Sequence, residues 1–180
     1  MQIKTIFLIA LCATGLLLFA GCGDTQKESA QVSPANYDAS RFIVDTPPTG
    51  AADVIAAKKT AGDKKEIVVV GRIGGSLDPW VKDRAAFSIV DCSIKACSDD
   101  KPEGEECSCK TPWDYCCETD KLKDAMALVK FVEDNGKLVK HDARDIFGIK
   151  ELQTVTVKGT AEKDSEGNLT IVATQIHFDK

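Results

Sequence analysis

Six cysteines lie within 26 residues of one another, at Cys92, Cys97, Cys107, Cys109, Cys116 and Cys117. Thiols at this density form disulfides, bind soft metal ions or carry out redox exchange. In an oxidising compartment an even number of cysteines favours three structural disulfides. A bond within the Cys107-x-Cys109 or Cys116-Cys117 pair needs a strained ring. Six cysteines permit 15 connectivities, and the sequence does not choose among them. One candidate pattern links Cys107 and Cys109 to Cys116 and Cys117, and Cys92 to Cys97.

A thiolate metal site is the alternative for the same cysteines. Close cysteine pairs can place several soft donors around one ion, which favours zinc or copper(I). The chain has neither a Cys-x-x-Cys pair nor a paired Cys/His zinc pattern, and its histidines, His141 and His177, are distant in sequence. The missing Cys-x-x-Cys also argues against thioredoxin-like redox chemistry. We therefore expect no cofactor, with zinc or copper as the alternative.

The residues around these cysteines carry the net charge of the protein. The segment 91–120 holds nine acidic residues and three lysines, a balance of −6. Once a signal of 21 residues is removed, the rest of the chain has 19 acidic and 19 basic residues. A stapled acidic loop is therefore the expected interaction surface.

The amino terminus has the pattern of an export signal. Lys4 precedes an apolar run from Ile6 to Ala20, which is too short to span a bilayer comfortably but suits a secretory signal. The ending Phe19-Ala20-Gly21-Cys22 resembles the bacterial lipoprotein processing box. That resemblance implies cleavage before Cys22 and acylation of Cys22, and several acyl chains would hold the protein firmly at a membrane. A plain signal peptide or a short membrane anchor is the alternative.

Beyond residues 1–21, composition divides the chain into a tether and a domain. Residues 22–62 are mainly polar and predict a flexible tether, with a short helix over 51–61 closed by Gly62. Residues 63–180 contain apolar alternation typical of strands, and 91–120 forms an insertion between the second and third of them. The predicted strands are 65–73, 85–91, 127–132, 137–140, 152–160 and 169–178, with a helix over 142–147.

This order of strands, with one short helix before the last two, resembles the OB-fold, a small five-stranded Greek-key barrel. The resemblance rests on VVVGRI, FSIVD, VTVKGTA and GNLTIVATQI and covers about residues 64–180. It implies a mainly β, OB-like barrel of five to six strands, and it implies a fold rather than a function.

Three aromatic residues lie where they can serve the domain in two ways. Trp113 and Tyr115 flank the thiols, and Trp80 precedes the second strand. They can pack the loop and cover the end of the barrel, or they can form an exposed recognition surface.

The sequence favours a non-enzymatic module. The net charge of −5 and a pI near 5.1 disfavour nucleic-acid binding by the OB-like face. No catalytic residues are assigned, because no nucleophile, base and acid combine in a recognisable pattern. We expect an extracytoplasmic lipoprotein on the periplasmic face of a membrane, with another envelope protein as a possible partner. In the lipoproteins that the processing box resembles, an aspartate after the cysteine often retains the protein at the inner membrane. Gly23 stands at that position here, so the resemblance slightly favours the outer membrane. The alternative function is a periplasmic zinc or copper protein.

Overall fold

The computed structural model describes residues 37–99 and 108–179, so the signal segment, Cys22 and Cys107 lie outside the described residues. In chain order its strands are β1 (Ala52–Asp53), β2 (Glu66–Ile73), β3 (Ala86–Val90), β4 (Met126–Phe131), β5 (Thr154–Lys163) and β6 (Leu169–Phe178). Its helices are α1 (Val54–Thr60), α2 (Thr119–Ala125) and α3 (Ala143–Phe147), with 3-10 turns at Ser40–Phe42 and Pro112–Asp114. The chain is mainly β, as predicted.

Strands β2 to β6 close into a barrel. β2 pairs antiparallel with β3 on one side and with β5 on the other, so the sheet returns to its first strand. β3 pairs antiparallel with β4, β4 pairs parallel with β6, and β6 pairs antiparallel with β5. The α3 helix connects β4 to β5. A closed five-stranded sheet with a helix between its third and fourth strands has the OB-fold arrangement, which confirms the predicted fold.

The barrel interior is filled by alternate residues of each strand, because successive side chains of a strand point to opposite faces. Aromatic rings occupy one part of this core. The Phe131 ring lies 4.7 Å from that of Phe147 and 6.4 Å from that of Phe87, centroid to centroid. Burying each large apolar side chain contributes about 1.5–3 kcal/mol, so this interior dominates the stability of the domain.

Of the two elements predicted between β4 and β5, the helix is present and the strand is not. Asp142 caps α3, its Oδ1 accepting a hydrogen bond from the Arg144 amide at 2.9 Å. Gly148 ends the helix in the left-handed conformation at φ 69°. The strand predicted over 137–140 is wrong, because only a single bridge joins Val132 to Leu138 after the turn.

Residues 37–62 belong to the folded domain, which corrects the prediction of a flexible tether through residue 62. Phe42 is buried, and its ring lies 4.9 Å from that of Phe131. β1 pairs in parallel with β2, and α1 buries Val54 and Ala57 against the barrel. The prediction failed because a few anchoring apolar residues, spaced among polar ones, leave no periodic pattern.

Candidate functional site

The segment that follows β3 packs on the outside of the barrel around a second hydrophobic cluster. Tyr115 is completely buried there with Val90, Ile94 and Leu122. The insertion therefore has its own apolar core, built jointly with β3 and α2. The insertion is thus more than the stapled acidic loop expected from the sequence, because buried apolar side chains also hold it to the barrel. The burial of Tyr115 also shows that it packs the loop rather than forming a recognition surface.

Two consecutive glycines at the end of β2 allow this close packing. The Gly75 amide donates a hydrogen bond to the Trp113 carbonyl at 2.8 Å. A β-carbon at Gly74 would lie 2.6 Å from that carbonyl oxygen and 2.9 Å from the Tyr115 ring. One at Gly75 would lie 2.6 Å from Cε of Met126. The Gly-Gly pair thus marks the place where the cysteine-bearing segment contacts the barrel.

Polar contacts fix the first part of the insertion. The buried Asp91 carboxylate accepts hydrogen bonds from the Ile55 amide at 2.7 Å and from the Ser93 amide and hydroxyl at 3.0 and 2.6 Å. These bonds hold the pKa of Asp91 below its ordinary value, although burial acts in the opposite direction. Asp91 therefore joins the start of α1 to the end of β3 as a carboxylate.

Three cysteines meet on the surface beside this cluster. Cys109 Sγ lies 3.8 Å from Cys116 Sγ, and Cys116 Sγ lies 3.9 Å from Cys117 Sγ. Asp114 contributes a carboxylate oxygen within 4.8 Å of the Cys109 and Cys116 sulfurs. Cys116 and Cys117 are exposed, and Cys109 is half-buried. The fold thus brings together part of the cysteine set named from the sequence.

The predicted disulfides are not confirmed for the part of the chain that the structure describes. Its five cysteines form no disulfide with one another. The sulfur separations of 3.8 and 3.9 Å exceed the S–S bond length of about 2.05 Å. Hydrogen bonding to Cys109, and then to Cys117, raises the pKa of the Cys116 thiol to about 12.

The remaining metal-ligand candidates lie elsewhere. Cys92 lies near Asp53 and Asp91, and local desolvation followed by these two carboxylates raises its pKa. His177 Nδ1 lies 3.0 Å from the Val44 carbonyl oxygen, and the His141 ring packs at a tilt against that of Tyr37, with centroids 4.8 Å apart. Among residues 37–99 and 108–179, neither histidine joins the thiol group.

A groove of about 510 Å³ crosses the outer face of β3, β4 and β6. Its walls are the β2–β3 and β5–β6 connections. The lining residues are Ser76, 78–81, Ser88, 126–128, Asp164 and 168–170. Half-buried Met126 and Leu128 supply apolar surface, while Ser88 and Thr170 supply hydroxyls. The groove therefore combines apolar contact area with groups that can form hydrogen bonds.

The ionisable side chains that line the groove are two carboxylates, Asp78 and Asp164. Asp164 accepts hydrogen bonds from the Asn168 side chain and amide, and these lower its pKa. Asp78 Oδ1 accepts from the Trp80 amide at 3.3 Å. Neither lysine nor arginine is among the lining residues. The charged side chains that line the groove are consequently all acidic.

The tryptophans support this groove without forming an exposed patch. Trp80 is buried against Phe87, and its indole N–H donates to a Glu151 carboxylate oxygen at 2.6 Å. It covers the barrel and also lines the groove. Trp113 is half-buried and donates its indole N–H to the Leu77 carbonyl at 3.1 Å. The cysteine-bearing segment thereby holds one rim of the groove.

Sequence reasoning named one of the groove residues, Trp80, and did not identify the others. Ser88, Leu128 and Thr170 are outward-facing positions of strands, and the alternation pattern distinguishes inside from outside without marking which outward residues share a hollow. The available signal was the OB-like strand order itself, since that order places β3 and β4 beside the β2–β3 and β5–β6 connections.

A wider hollow of about 750 Å³ lies between the segment 147–153 and the end of β6. Lys150 and Glu151 contribute opposite charges to its wall. It is formed mainly by a connection, whereas the groove lies across the strand face that OB barrels use for ligands.

The topology and the groove place the chain in the class of small OB-type barrels. No family model and no curated protein matches it. A hypothetical protein, ygiW from E. coli, is similar over 76% of this chain and 98% of its own, at 14% identity and a TM-score of 0.37. A putative aspartyl-tRNA synthetase from Leishmania major Friedlin is similar over 82% of this chain and 22% of its own, at 11% identity and a TM-score of 0.36. Neither similarity bears on function.

Within residues 37–99 and 108–179, no helix has the length and apolar character needed to cross a bilayer.

Proposed function

We propose that the protein is a lipid-anchored, non-enzymatic binding module of the cell envelope, and that its ligand is a neutral oligosaccharide bound in the groove across β3, β4 and β6. The observation that carries this proposal is the position and composition of the groove. It lies on the face where OB barrels bind chains of sugars or nucleotides, and it combines hydroxyls with apolar surface.

Charge selects between these two ligand classes. Binding to a nucleic acid depends on lysine and arginine contacts with phosphates. The groove presents Asp78 and Asp164 instead, so a polyanion would be repelled at the site of contact. An uncharged sugar chain meets no such repulsion, and its hydroxyls can pair with the Thr170 hydroxyl and the Asn168 side chain.

The groove also lacks a nucleophile paired with a base, and its two carboxylates, Asp78 and Asp164, accept hydrogen bonds from local amide groups. No histidine or cysteine is among its lining residues. The Ser88 hydroxyl donates to the Gly74 carbonyl at 2.7 Å, so it is held by the main chain rather than by a base. Binding without chemical conversion is the function that this arrangement supports.

The processing box at Cys22 supports anchoring. Fourteen residues separate Cys22 from Tyr37, where the described domain begins. Fully extended, such a segment reaches at most about 50 Å. A lipid on Cys22 would therefore keep the groove near a membrane surface, consistent with a ligand in the cell envelope.

Binding can be tested with residues 22–180 carrying Cys22→Ser, which include the whole described domain. Isothermal titration would use hexasaccharides of N-acetylglucosamine, glucose and mannose, with single-stranded oligothymidine as the anionic comparison. We expect one neutral hexasaccharide or more to bind and the oligothymidine not to bind. Failure of all three sugars to bind would overturn the ligand class.

Two matched variants locate the binding face. Leu128→Glu places a charge on the floor of the groove, whereas Val172→Glu places one on an outward, half-buried position of β6 that does not line it. Sugar binding should be lost in the first variant and retained in the second. Equal affinity in the two variants would contradict the groove as the site.

A further inference from the structure

The cluster formed by Cys109, Asp114 and Cys116, with Cys117 beside it, has the dimensions of a metal site. A tetrahedral zinc ion with Zn–S bonds of about 2.3 Å holds its sulfur ligands about 3.8 Å apart. The Cys109 to Cys116 separation is 3.8 Å, and the Cys116 to Cys117 separation is 3.9 Å. The Cys109 and Cys116 sulfurs, with an Asp114 carboxylate oxygen within 4.8 Å of both, are thus already spaced as ligands of one ion, and Cys117 lies next to Cys116.

The turn that carries these ligands is fixed by the barrel. Tyr115 lies between Asp114 and Cys116 in sequence, is fully buried, and adopts a left-handed conformation at φ 55°. Its side chain points into the second hydrophobic cluster. The Trp113 carbonyl accepts a hydrogen bond from the Gly75 amide. Burial of Tyr115 directs its two neighbours outward, so Asp114 and Cys116 are positioned before any ion binds.

Asp114 is held in place by two local hydrogen bonds. Its Oδ1 accepts from the Cys116 amide at 2.9 Å, and its Oδ2 accepts from the Thr111 hydroxyl at 2.9 Å. Such bonds orient a metal-binding carboxylate in known sites. Each oxygen keeps a further lone pair for a cation.

We propose that Cys109, Asp114 and Cys116 bind Zn²⁺, with Cys117 as the fourth ligand. The mixed sulfur and oxygen set favours zinc, since copper(I) selects thiolates without a carboxylate. The thiol protons pass to solvent as the thiolates bind the ion.

A single ion uses this arrangement more fully than a disulfide does. The Cys116 sulfur has two sulfur neighbours at nearly equal distance. A disulfide would join only two of the three sulfurs, whereas one tetrahedral ion can be bound by all three. The site is independent of the sugar-binding proposal, because none of its residues lines the groove.

The test uses the full, processed chain purified anaerobically and reduced. Zinc content would be measured by mass spectrometry after dialysis against a weak chelator, and Co²⁺ would serve as a spectroscopic probe. We expect one zinc per chain and a thiolate-to-cobalt charge-transfer band. Absence of retained zinc, or retention of copper(I) alone, would overturn the zinc assignment.

Variants then assign the ligands. Cys116→Ser should abolish zinc retention and the cobalt band. Asp114→Asn should lower the affinity for zinc by about tenfold or more. Cys92→Ser is the matched control, since Cys92 lies outside the cluster, and it should keep both signals. Zinc retained at full occupancy in Cys116→Ser would contradict the site. Near-ultraviolet circular dichroism of each variant separates loss of zinc from loss of folding.

The state of the thiols in the cell gives a separate check. Cells would be lysed in denaturant with a chelator and an alkylating reagent, so that zinc is removed and every free thiol is labelled at once. Cys109 and Cys116 should then carry the alkyl group. A Cys109–Cys116 disulfide in peptides from that sample would overturn the proposal.

Discussion

The carboxylate of Asp99 accepts hydrogen bonds from both terminal nitrogens of the Arg72 guanidinium, at 2.5 and 3.1 Å. This two-point ion pair joins β2 to the insertion across 27 positions of sequence. Arg72 Nε also donates to the Leu152 carbonyl at 3.3 Å, and Asp99 also accepts from the Ala96 amide at 2.8 Å. The pair therefore connects three segments of the domain.

Asp99→Asn should destabilise the protein by about 1–3 kcal/mol, because Arg72 would keep its charge without its partner. Urea unfolding at pH 7 measures the change. Asp134→Asn is the control, since Asp134 also pairs with an arginine but its side chain is 98% exposed. That variant should lie within about 0.5 kcal/mol of the wild type. An equal loss of unfolding free energy in the two variants would show that the Arg72–Asp99 pair stabilises the domain no more than an exposed ion pair does.

Acid should weaken the attachment of the insertion through Asp91. Hydrogen bonding lowers the pKa of Asp91 in the folded state, so the unfolded state binds more protons as the pH falls. The free energy of unfolding contributed by Asp91 is therefore complete above about pH 5 and is lost as the pH falls through the folded pKa. Urea unfolding at several pH values should show a steeper acid loss in the wild type than in Asp91→Asn. Parallel pH profiles would contradict this assignment.

Two substitutions of Tyr115 separate the contribution of its ring packing to stability from the contribution of its hydroxyl group. Its oxygen is buried with no hydrogen-bond partner among residues 37–99 and 108–179, and its pKa is raised to about 12, first of all by burial. Tyr115→Phe should leave stability unchanged or raise it by about 1 kcal/mol, since an unsatisfied polar group is removed. Tyr115→Ala should cost about 3–5 kcal/mol through the cavity it leaves. A large loss in the phenylalanine variant would mean that the hydroxyl has a partner.

Anchoring can be tested at the processing box. Cys22→Ser removes the thiol that lipidation requires, so the variant should lack the lipid mass and leave the membrane fraction. Mass spectrometry and fractionation of cells expressing the full chain measure both effects. Cys12→Ser, inside the apolar run, is the control and should behave as the wild type. Unchanged membrane association of the Cys22 variant would contradict the lipoprotein proposal.

The barrel could be predicted from the sequence, whereas the packing of the cysteine-bearing segment against it could not. Strands such as β5 and β6 show clean alternation because one face is buried and the other meets solvent. The docking of Tyr115 depends on a cavity formed jointly by β3 and α2, and that cavity arises only once the barrel exists. The two glycines after β2 are understandable in retrospect, since the segment they accommodate lies about 40 residues further along the chain.

The thiol cluster was only partly predictable for the same reason. Spacing indicated that Cys109 and the Cys116-Cys117 pair belong together. It did not indicate that Asp114 would join them, because an aspartate in an acidic segment carries no distinguishing pattern. The left-handed turn at Tyr115 brings this carboxylate beside the sulfurs.

The most direct test of the proposed function is amide chemical-shift mapping with the tightest-binding neutral hexasaccharide. The sample is the ¹⁵N-labelled 22–180 chain carrying Cys22→Ser. The groove predicts that the largest shifts occur at residues 78–81, at Leu128 and at residues 168–170, with little change at Cys116. Shifts confined to the cysteine-bearing segment, or no shifts at saturating sugar, would contradict the assignment of this face as the ligand-binding site.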